Sequence, residues 1–200
     1  MSKTIANIAV IGVGLVGKEF LGQLAALASR SSSTKSLRLV YVSNSSKSVY
    51  DHENGIHLDA WASSLSQSPA ISPSPTDLPA RLKRDSSTSS SPREITVVVD
   101  NTSSDQIASL YPAFLQNGID VITPNKKAYS SSLTLYDQIL AASNSPGGGR
   151  FLNESTVGAG LPIISTLKDL VATGDEVSMT ASSMRGFAGY IETEALDVCT

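Results

Sequence analysis

At 200 residues, 40% hydrophobic and 16% charged, the chain has material for one buried core of ordinary domain size. A net charge of −3 without any Lys/Arg block excludes the concentrated basic face that nucleic-acid binding needs. The single cysteine, Cys199, excludes an internal disulfide or a cysteine metal cluster, and no apolar run approaches membrane-spanning length.

Ile5 to Ile11 is a short apolar run ending in Gly12, the pattern of a buried parallel strand. The first residues, Met1-Ser2-Lys3, lead into it without an Arg-rich presequence, so a cytoplasmic protein with no membrane partner is the expectation. From Gly14 a helical pattern places Val16, Phe20, Leu24 and Leu27 on one face. Residues 29–36 are Ser-rich and predict a loop, and Leu37–Val42 reads as a second buried strand.

Between about 62 and 92 the composition shifts to Ser and Pro. Such stretches bury too little apolar surface to offset their ordering entropy, so mobile loops are expected, interrupted by a short helix near Leu78–Lys83. Ile95–Val99 is a β-branched strand. The helix after it carries Ile107, Leu110, Tyr111 and Phe114 on its inner face, and Pro112 should kink it. Asn117-Gly118 marks its end. A strand at Ile119–Ile122, a helix at 131–142 and a strand at Phe151–Asn153 follow. Ile163, Ile164, Leu167, Leu170 and Val171 then repeat at helical spacing between Pro162 and Gly174. Alternating strands and helices imply a parallel sheet wrapped by crossovers, an α/β doubly wound sheet of the Rossmann type.

Chemistry enters with Gly12-Val13-Gly14-Leu15-Val16-Gly17, a G-x-G-x-x-G placed after a buried strand and at the mouth of a helix. In such a loop the first glycine makes the tight turn, the second lets a pyrophosphate approach and the third lets helix and strand pack closely. The helix N-terminus adds free N–H groups and a partial positive charge for phosphate. The end of the second strand selects the cofactor, because a carboxylate there binds the ribose hydroxyl of NAD and repels the 2′-phosphate of NADP. Here Ser43-Asn44-Ser45-Ser46-Lys47 offers hydroxyls and a cation but no carboxylate. NADP(H) is therefore expected over NAD(H), with Ser43 and Asn44 at the cofactor. Three further segments leave the C-terminal ends of strands and should converge on the same crevice: Asp100–Ser104, Thr123–Lys127 and Asn153–Gly160.

The segments VDNTSS, NGIDVITPNKKAYS and ESTVGAGLPIISTLKDLVATGDEV resemble those of fungal-type homoserine dehydrogenases, which reduce aspartate semialdehyde to homoserine with NAD(P)H. The resemblance starts at Asn7, weakens through the Ser/Pro-rich region and returns from Ile95 to Val177. It implies that Asn101, Thr102 and Ser103 line the nicotinamide end of the site, with Asn125 beside them. It implies that Lys126 is the catalytic lysine near nicotinamide and a small-molecule substrate, while Lys127 serves packing or solubility. Glu154, Val157, Ala159 and Leu161 match positions that hold a monovalent cation, mostly through main-chain carbonyls; a purely structural turn is the alternative.

On this reading residues 1–176 form the NAD(P)-binding domain, and 177–200 are a remnant of the family's catalytic and dimerisation domain. The match departs at Arg185 and Phe187, which flank a glycine where the family reads Ser-Gly-Thr. The expected function is an NADP(H)-dependent oxidoreductase; the alternative is a non-redox homologue, such as a pseudoenzyme, a regulatory subunit, or an isomerase or cyclase using the old crevice. Alternation of Val177, Met179 and Ala181 suggests a strand able to pair with a second chain, so a homodimer is expected.

Overall fold

Buried β-branched and aliphatic runs drive a six-stranded sheet in a computed structural model, which describes residues 4–30, 35–70, 72–82, 93–158 and 160–175. The chain divides into two units, Met1–Leu152 and Asn153–Thr200. That division lies upstream of the boundary after 176 expected from the sequence, and the remnant at 177–200, with its proposed pairing strand, lies outside the described residues.

In the first unit the strands are β1 (Thr4–Ile11), β2 (Lys35–Ser43), β3 (Ser48–Tyr50), β4 (Arg93–Asp100), β5 (Asp120–Ile122) and β6 (Phe151–Leu152). Their order is β3-β2-β1-β4-β5-β6. All neighbouring pairs are parallel except β2 and β3, which run antiparallel. The sheet is thus the expected doubly wound α/β one with a single correction: a short antiparallel strand that was not expected turns back at its first edge, because Asn44 to Lys47 closes a tight turn (Asn44 N–H to Lys47 O, 3.0 Å).

Side chains alternate between two cores. Ile8 and Val10 of β1 face one cluster with Leu39, Val42 and Val99, while Ala9 and Ile11 face the other with Val40, Val98 and Val121. Between Ile8/Leu39 and Ala9/Tyr41 the register slips by one residue. This bulge lets Val40 and its neighbour Tyr41 share one face. At the strand starts, Arg38 Nε donates to Asn7 Oδ1 (2.8 Å) and Arg38 Nη2 meets Glu94 Oε1 (3.2 Å), fastening the three central strands laterally.

Helix α1 (Leu15–Arg30) covers the first cluster with Gly17, Leu21 and Leu24, and Phe20 packs partly buried against it; of the expected Val16, Phe20, Leu24 and Leu27 stripe, Val16 and Leu27 face outward instead. Val16 is 59% and Leu27 56% exposed. The face is set one residue later because Gly17 must abut the strand, and burial of Leu21 and Leu24 stabilises the contact by about 2 kcal/mol each. The second cluster is covered by α3 (Leu78–Arg81), α4 (Asp105–Ala108), α5 (Tyr111–Gln116), α6 (Lys127–Ser130) and α7 (Leu133–Asn144). Pro112 acts more strongly than a kink: α4 and α5 are separate helices, with the proline in the first turn of α5, where its missing N–H costs nothing.

In the Ser/Pro-rich region the expected short helix near Leu78–Lys83 is present as α3, while the segment before it is more ordered than the loops expected. Residues 61–67 form helix α2 (Trp61–Gln67) on buried Leu65, and a 3-10 turn (Pro75–Asp77) leads into α3, which buries Leu78 and precedes buried Leu82. Tyr41 Oη and Ser48 Oγ donate to the Pro73 carbonyl at 3.2 and 3.1 Å, tying the segment to the sheet. Residues 83–92 lie outside the described residues. At the far side, Asp120 accepts from Arg150 N, Nε and Nη2 (2.7, 3.1 and 2.6 Å), joining β5 to the lead-in of β6.

The second unit holds a 3-10 turn (Glu154–Thr156) and α8 (Ile163–Ala172), which spans the predicted helical repeat. Among the described residues no helix is long and apolar enough to cross a membrane.

Candidate functional site

Strand β1 ends at Ile11 and the chain must reverse into α1 within three residues. Gly12 does this at φ +88°, a conformation side chains rarely adopt. A Cβ there would stand 2.7 Å from Thr102 Cγ2 and 3.2 Å from the Asn101 backbone. The loop is fixed on both sides, by Gly12 N–H to Ser43 O (2.9 Å) and Asn101 N–H to Ile11 O (2.8 Å). Gly17 presses against the Gly12 carbonyl so closely that a methyl group would overlap it. Around Gly14, by contrast, there is nothing within 4 Å of where a Cβ would point. The turn at Gly12 and the close packing at Gly17 are as the sequence predicted, and the space beside Gly14 is open.

A cleft of about 690 Å³ opens over this loop. Gly12, Val13 and Gly14 line it together with Lys18 and with Asn101, Thr102 and Ser103. The first intrahelical bond of α1 is Lys18 N–H to Gly14 O (3.0 Å), so the N–H groups of Leu15, Val16 and Gly17 have no helical acceptor. No acidic residue occupies the first turn. Asn101 Nδ2 is buried without a hydrogen-bond partner among the described residues. A diphosphate fits this donor set: free N–H groups, the partial positive charge of the helix end, a nearby ammonium and an unspent amide donor.

The rest of the lining comes from elements the sequence concealed. Trp61, Ala62, Leu65 and Ser66 of α2 line the cleft beside the β2–β3 turn residues Asn44, Ser45 and Lys47. Asn44 spends its Oδ1 on the turn, accepting Ser46 N–H and Lys47 N–H at 2.8 and 2.7 Å. Lys47 Nζ donates to the Ser66 carbonyl, which anchors the ammonium at the wall while leaving two of its protons available. Ser43 is buried at the end of β2 and supports the glycine loop through its carbonyl; it is not among the cleft walls, nor are Leu15 and Val16, which point outward. The i, i+4 pair Trp61 and Leu65 was the one available signal for α2.

Beneath the loop at the end of β4 lies a buried polar cluster. Asp100 is wholly buried; its Oδ1 accepts Thr102 N–H (2.8 Å), and its Oδ2 accepts the Tyr111 hydroxyl (2.6 Å) and Asn125 Nδ2 (3.1 Å). Burial, reinforced by the Asp100 charge, drives the Tyr111 phenol far above its usual pKa, so it remains a donor. Asn125, expected at the cofactor, is instead 2% exposed. Its amide is consumed by Asp100, by the Ser104 carbonyl (3.0 Å) and by Lys127 N–H (3.0 Å). Its role is to shape the loop that presents Lys126.

Lys126 itself is exposed at the start of α6, at the end of β5, and makes no ion pair among the described residues. It is not among the walls of the glycine-loop cleft. Lys127 packs as expected, with Nζ 3.3 Å from Asp105 Oδ2, joining α6 to α4.

In the second unit, Glu154 directs both carboxylate oxygens at α8, accepting Ile164 N–H (2.8 Å) and Ser165 N–H (2.9 Å). The Glu154 carbonyl faces Val157 N–H at 3.4 Å, and the Gly158 carbonyl accepts Leu161 N–H at 3.0 Å. The Glu154 side chain is therefore a helix cap. Ala159 of the expected cation set lies outside the described residues. Among the described residues no cluster of three or more His, Cys, Asp or Glu could hold a metal.

Residues 12–152 match the family description homoserine dehydrogenase, NAD binding domain. The chain is 39% identical over 196 residues to the homoserine dehydrogenase of Saccharomyces cerevisiae, covering 97% of this chain and 51% of that one. It is 39% identical over 186 residues to the enzyme of Emericella nidulans, covering 91% and 48%. It therefore spans about half the length of these relatives. Among solved structures it superposes on a Candida auris protein of unknown function with a TM-score of 0.71 at 36% identity, covering 88% of this chain and 46% of that one. A hyperthermophilic archaeal homoserine dehydrogenase in complex with NADPH gives a TM-score of 0.60 at 26% identity, covering 82% and 48%. The glycine loop, the sheet that carries it and the extent of these matches together make this chain a member of the homoserine dehydrogenase family, carrying that family's NAD-binding domain.

Proposed function

We propose that this chain is the NADP(H)-binding part of an oxidoreductase that interconverts a small carbonyl and its alcohol, of the aspartate semialdehyde and homoserine kind. The observation that carries the reading is the composition of one cleft. It joins an open glycine loop at a helix N-terminus to a β2–β3 turn that has a lysine and no carboxylate. The archaeal relative solved with NADPH supports the cofactor choice.

In this reading the loop from Gly12 to Gly17 binds the diphosphate through backbone N–H groups, with Lys18 adding charge. Lys47 and Ser45 receive the 2′-phosphate, and Asn101, Thr102 and Ser103 orient the nicotinamide end. The cofactor, when bound, supplies or accepts the hydride. Lys126 places a positive charge where the substrate oxygen gains negative charge, and can hold or deliver its proton. The proposed partners are a small-molecule substrate and a second copy of the chain.

Calorimetric titration with NADPH and NADH tests the cofactor assignment. NADPH should bind about tenfold more tightly or better, a difference of roughly 1.4 kcal/mol. Equal or tighter NADH binding overturns it.

A further inference from the structure

Strands β4 and β5 pair only through Val97–Val99 and Asp120–Ile122, so their last residues before the loops are joined by side chains. Thr123 Oγ1 donates to the Asp100 carbonyl (3.0 Å), and the Tyr111 hydroxyl stands between the two strands, 2.6 Å from Asp100 Oδ2 and 2.9 Å from Thr123 Oγ1. Each arm of this cluster ends on a loop backbone. Asp100 Oδ1 holds Thr102 N–H, while Asn125, held by Asp100 Oδ2, fixes Lys127 N–H through its own Oδ1. The two loops also touch directly, through Asn125 Nδ2 to the Ser104 carbonyl (3.0 Å) and Lys127 Nζ to Asp105 Oδ2 (3.3 Å), but one buried carboxylate holds both a backbone N–H of the first and the side chain that fixes the second.

That carboxylate has no cationic partner among the described residues. Its charge is met by three donors, and removing one leaves desolvated charge that the remaining groups must move to satisfy. The Tyr111 ring is held independently of its hydroxyl, packing on Phe151 at a centroid distance of 5.7 Å. We propose that Tyr111 is a positioning residue: its buried hydroxyl locks the Thr102 and Lys126 loops into a single cradle for the nicotinamide end of the cofactor. The proposal rests on the cofactor reading above.

Two nucleotides separate positioning from simple stability. NADPH and 2′-phospho-ADP-ribose, which lacks nicotinamide, are titrated into the full 200-residue chain and its Tyr111→Phe variant. In the variant the nicotinamide-free nucleotide should keep its affinity within about twofold, while the advantage of NADPH over it falls about tenfold, the scale of one hydrogen bond to a charged group. Thr123→Val, which preserves side-chain shape, should act in the same direction and serves if Tyr111→Phe does not fold. In the ligand-free protein, hydrogen exchange at Thr102 and Lys127 N–H should accelerate together in either variant, with β1 unchanged. Equal weakening of both nucleotides, an unchanged NADPH advantage, or faster exchange at Thr102 without Lys127 overturns the positioning role. Wild-type protein that binds neither nucleotide overturns the cofactor reading and the proposal with it, an outcome distinct from any defect confined to the variant.

Discussion

The α-carbon of Gly17 sits against the carbonyl oxygen of Gly12 so tightly that the first turn of α1 and the end of β1 share one van der Waals surface. Backbone meets backbone there, so no side-chain rotation can relieve an added methyl group. Gly17→Ala should therefore destabilise the fold by about 3 kcal/mol, at the upper end of the cost of overpacking. Gly14→Ala adds its methyl group to open space and should leave stability within about 1 kcal/mol, yet weaken nucleotide binding. Denaturant titration of both variants checks the contrast, and a Gly17→Ala protein as stable as wild type would contradict it.

Lys47 is anchored by the Ser66 carbonyl at the wall of the cleft. Replacing it with alanine should weaken NADPH by about tenfold, as expected for a charge-assisted contact, and leave NADH unaffected. Parallel calorimetry reads the two values. A uniform loss would mean that the lysine supports α2 and not the phosphate.

Lys126 is exposed and unpaired among the described ion pairs, so its removal should cost little stability. If it meets the substrate oxygen, Lys126→Ala lowers turnover of aspartate semialdehyde by about 100-fold and barely alters NADPH affinity. Absorbance of the reduced cofactor follows the first quantity and calorimetry the second. NADPH binding without turnover in the wild-type chain would place the proton donor elsewhere.

Glu154 gives a pH dependence with a definite sign. Desolvation pushes its pKa up, but the N–H groups of Ser165 and Ile164 outweigh that and leave it below the ordinary carboxylate value. A lowered folded-state pKa means that the cap is fully present above the unfolded value of about 4.3 and is lost as pH falls through the folded value. The protection of the Ile164 and Ser165 amides, measured against their intrinsic exchange rates at each pH, should fall over that acidic window. Glu154→Gln should flatten the response, and protection in the wild type that ignores acidification would refute the capping role.

What could be read in the sequence was whatever depends on neighbours along the chain. Buried strand, glycine, helix is a local pattern, and the loop at Gly12 follows it. The face of α1 was misread at Val16 and Leu27 because Gly17 counts as neutral in a hydrophobic pattern, although it is buried against the Gly12 carbonyl. Helix α2 was hidden by serines around Trp61 and Leu65, and β3 by its length of three residues. Asp100, Tyr111 and Thr123 meet only after β4 and β5 are set side by side, a register that no periodicity reports. For the same reason Asn125 resembled a ligand residue while its amide was already committed to the interior.

The short strands at the two rims of the sheet carry a further meaning. β3 offers three residues and β6 two, against eight or nine in β1, β2 and β4. A stranger's backbone laid along either rim would find only a few rungs before the ladder ran out, which guards the long, sticky centre against runaway stacking. Any lasting association of this unit with another chain is then won by side chains, which can be selective, and not by generic main-chain zippering.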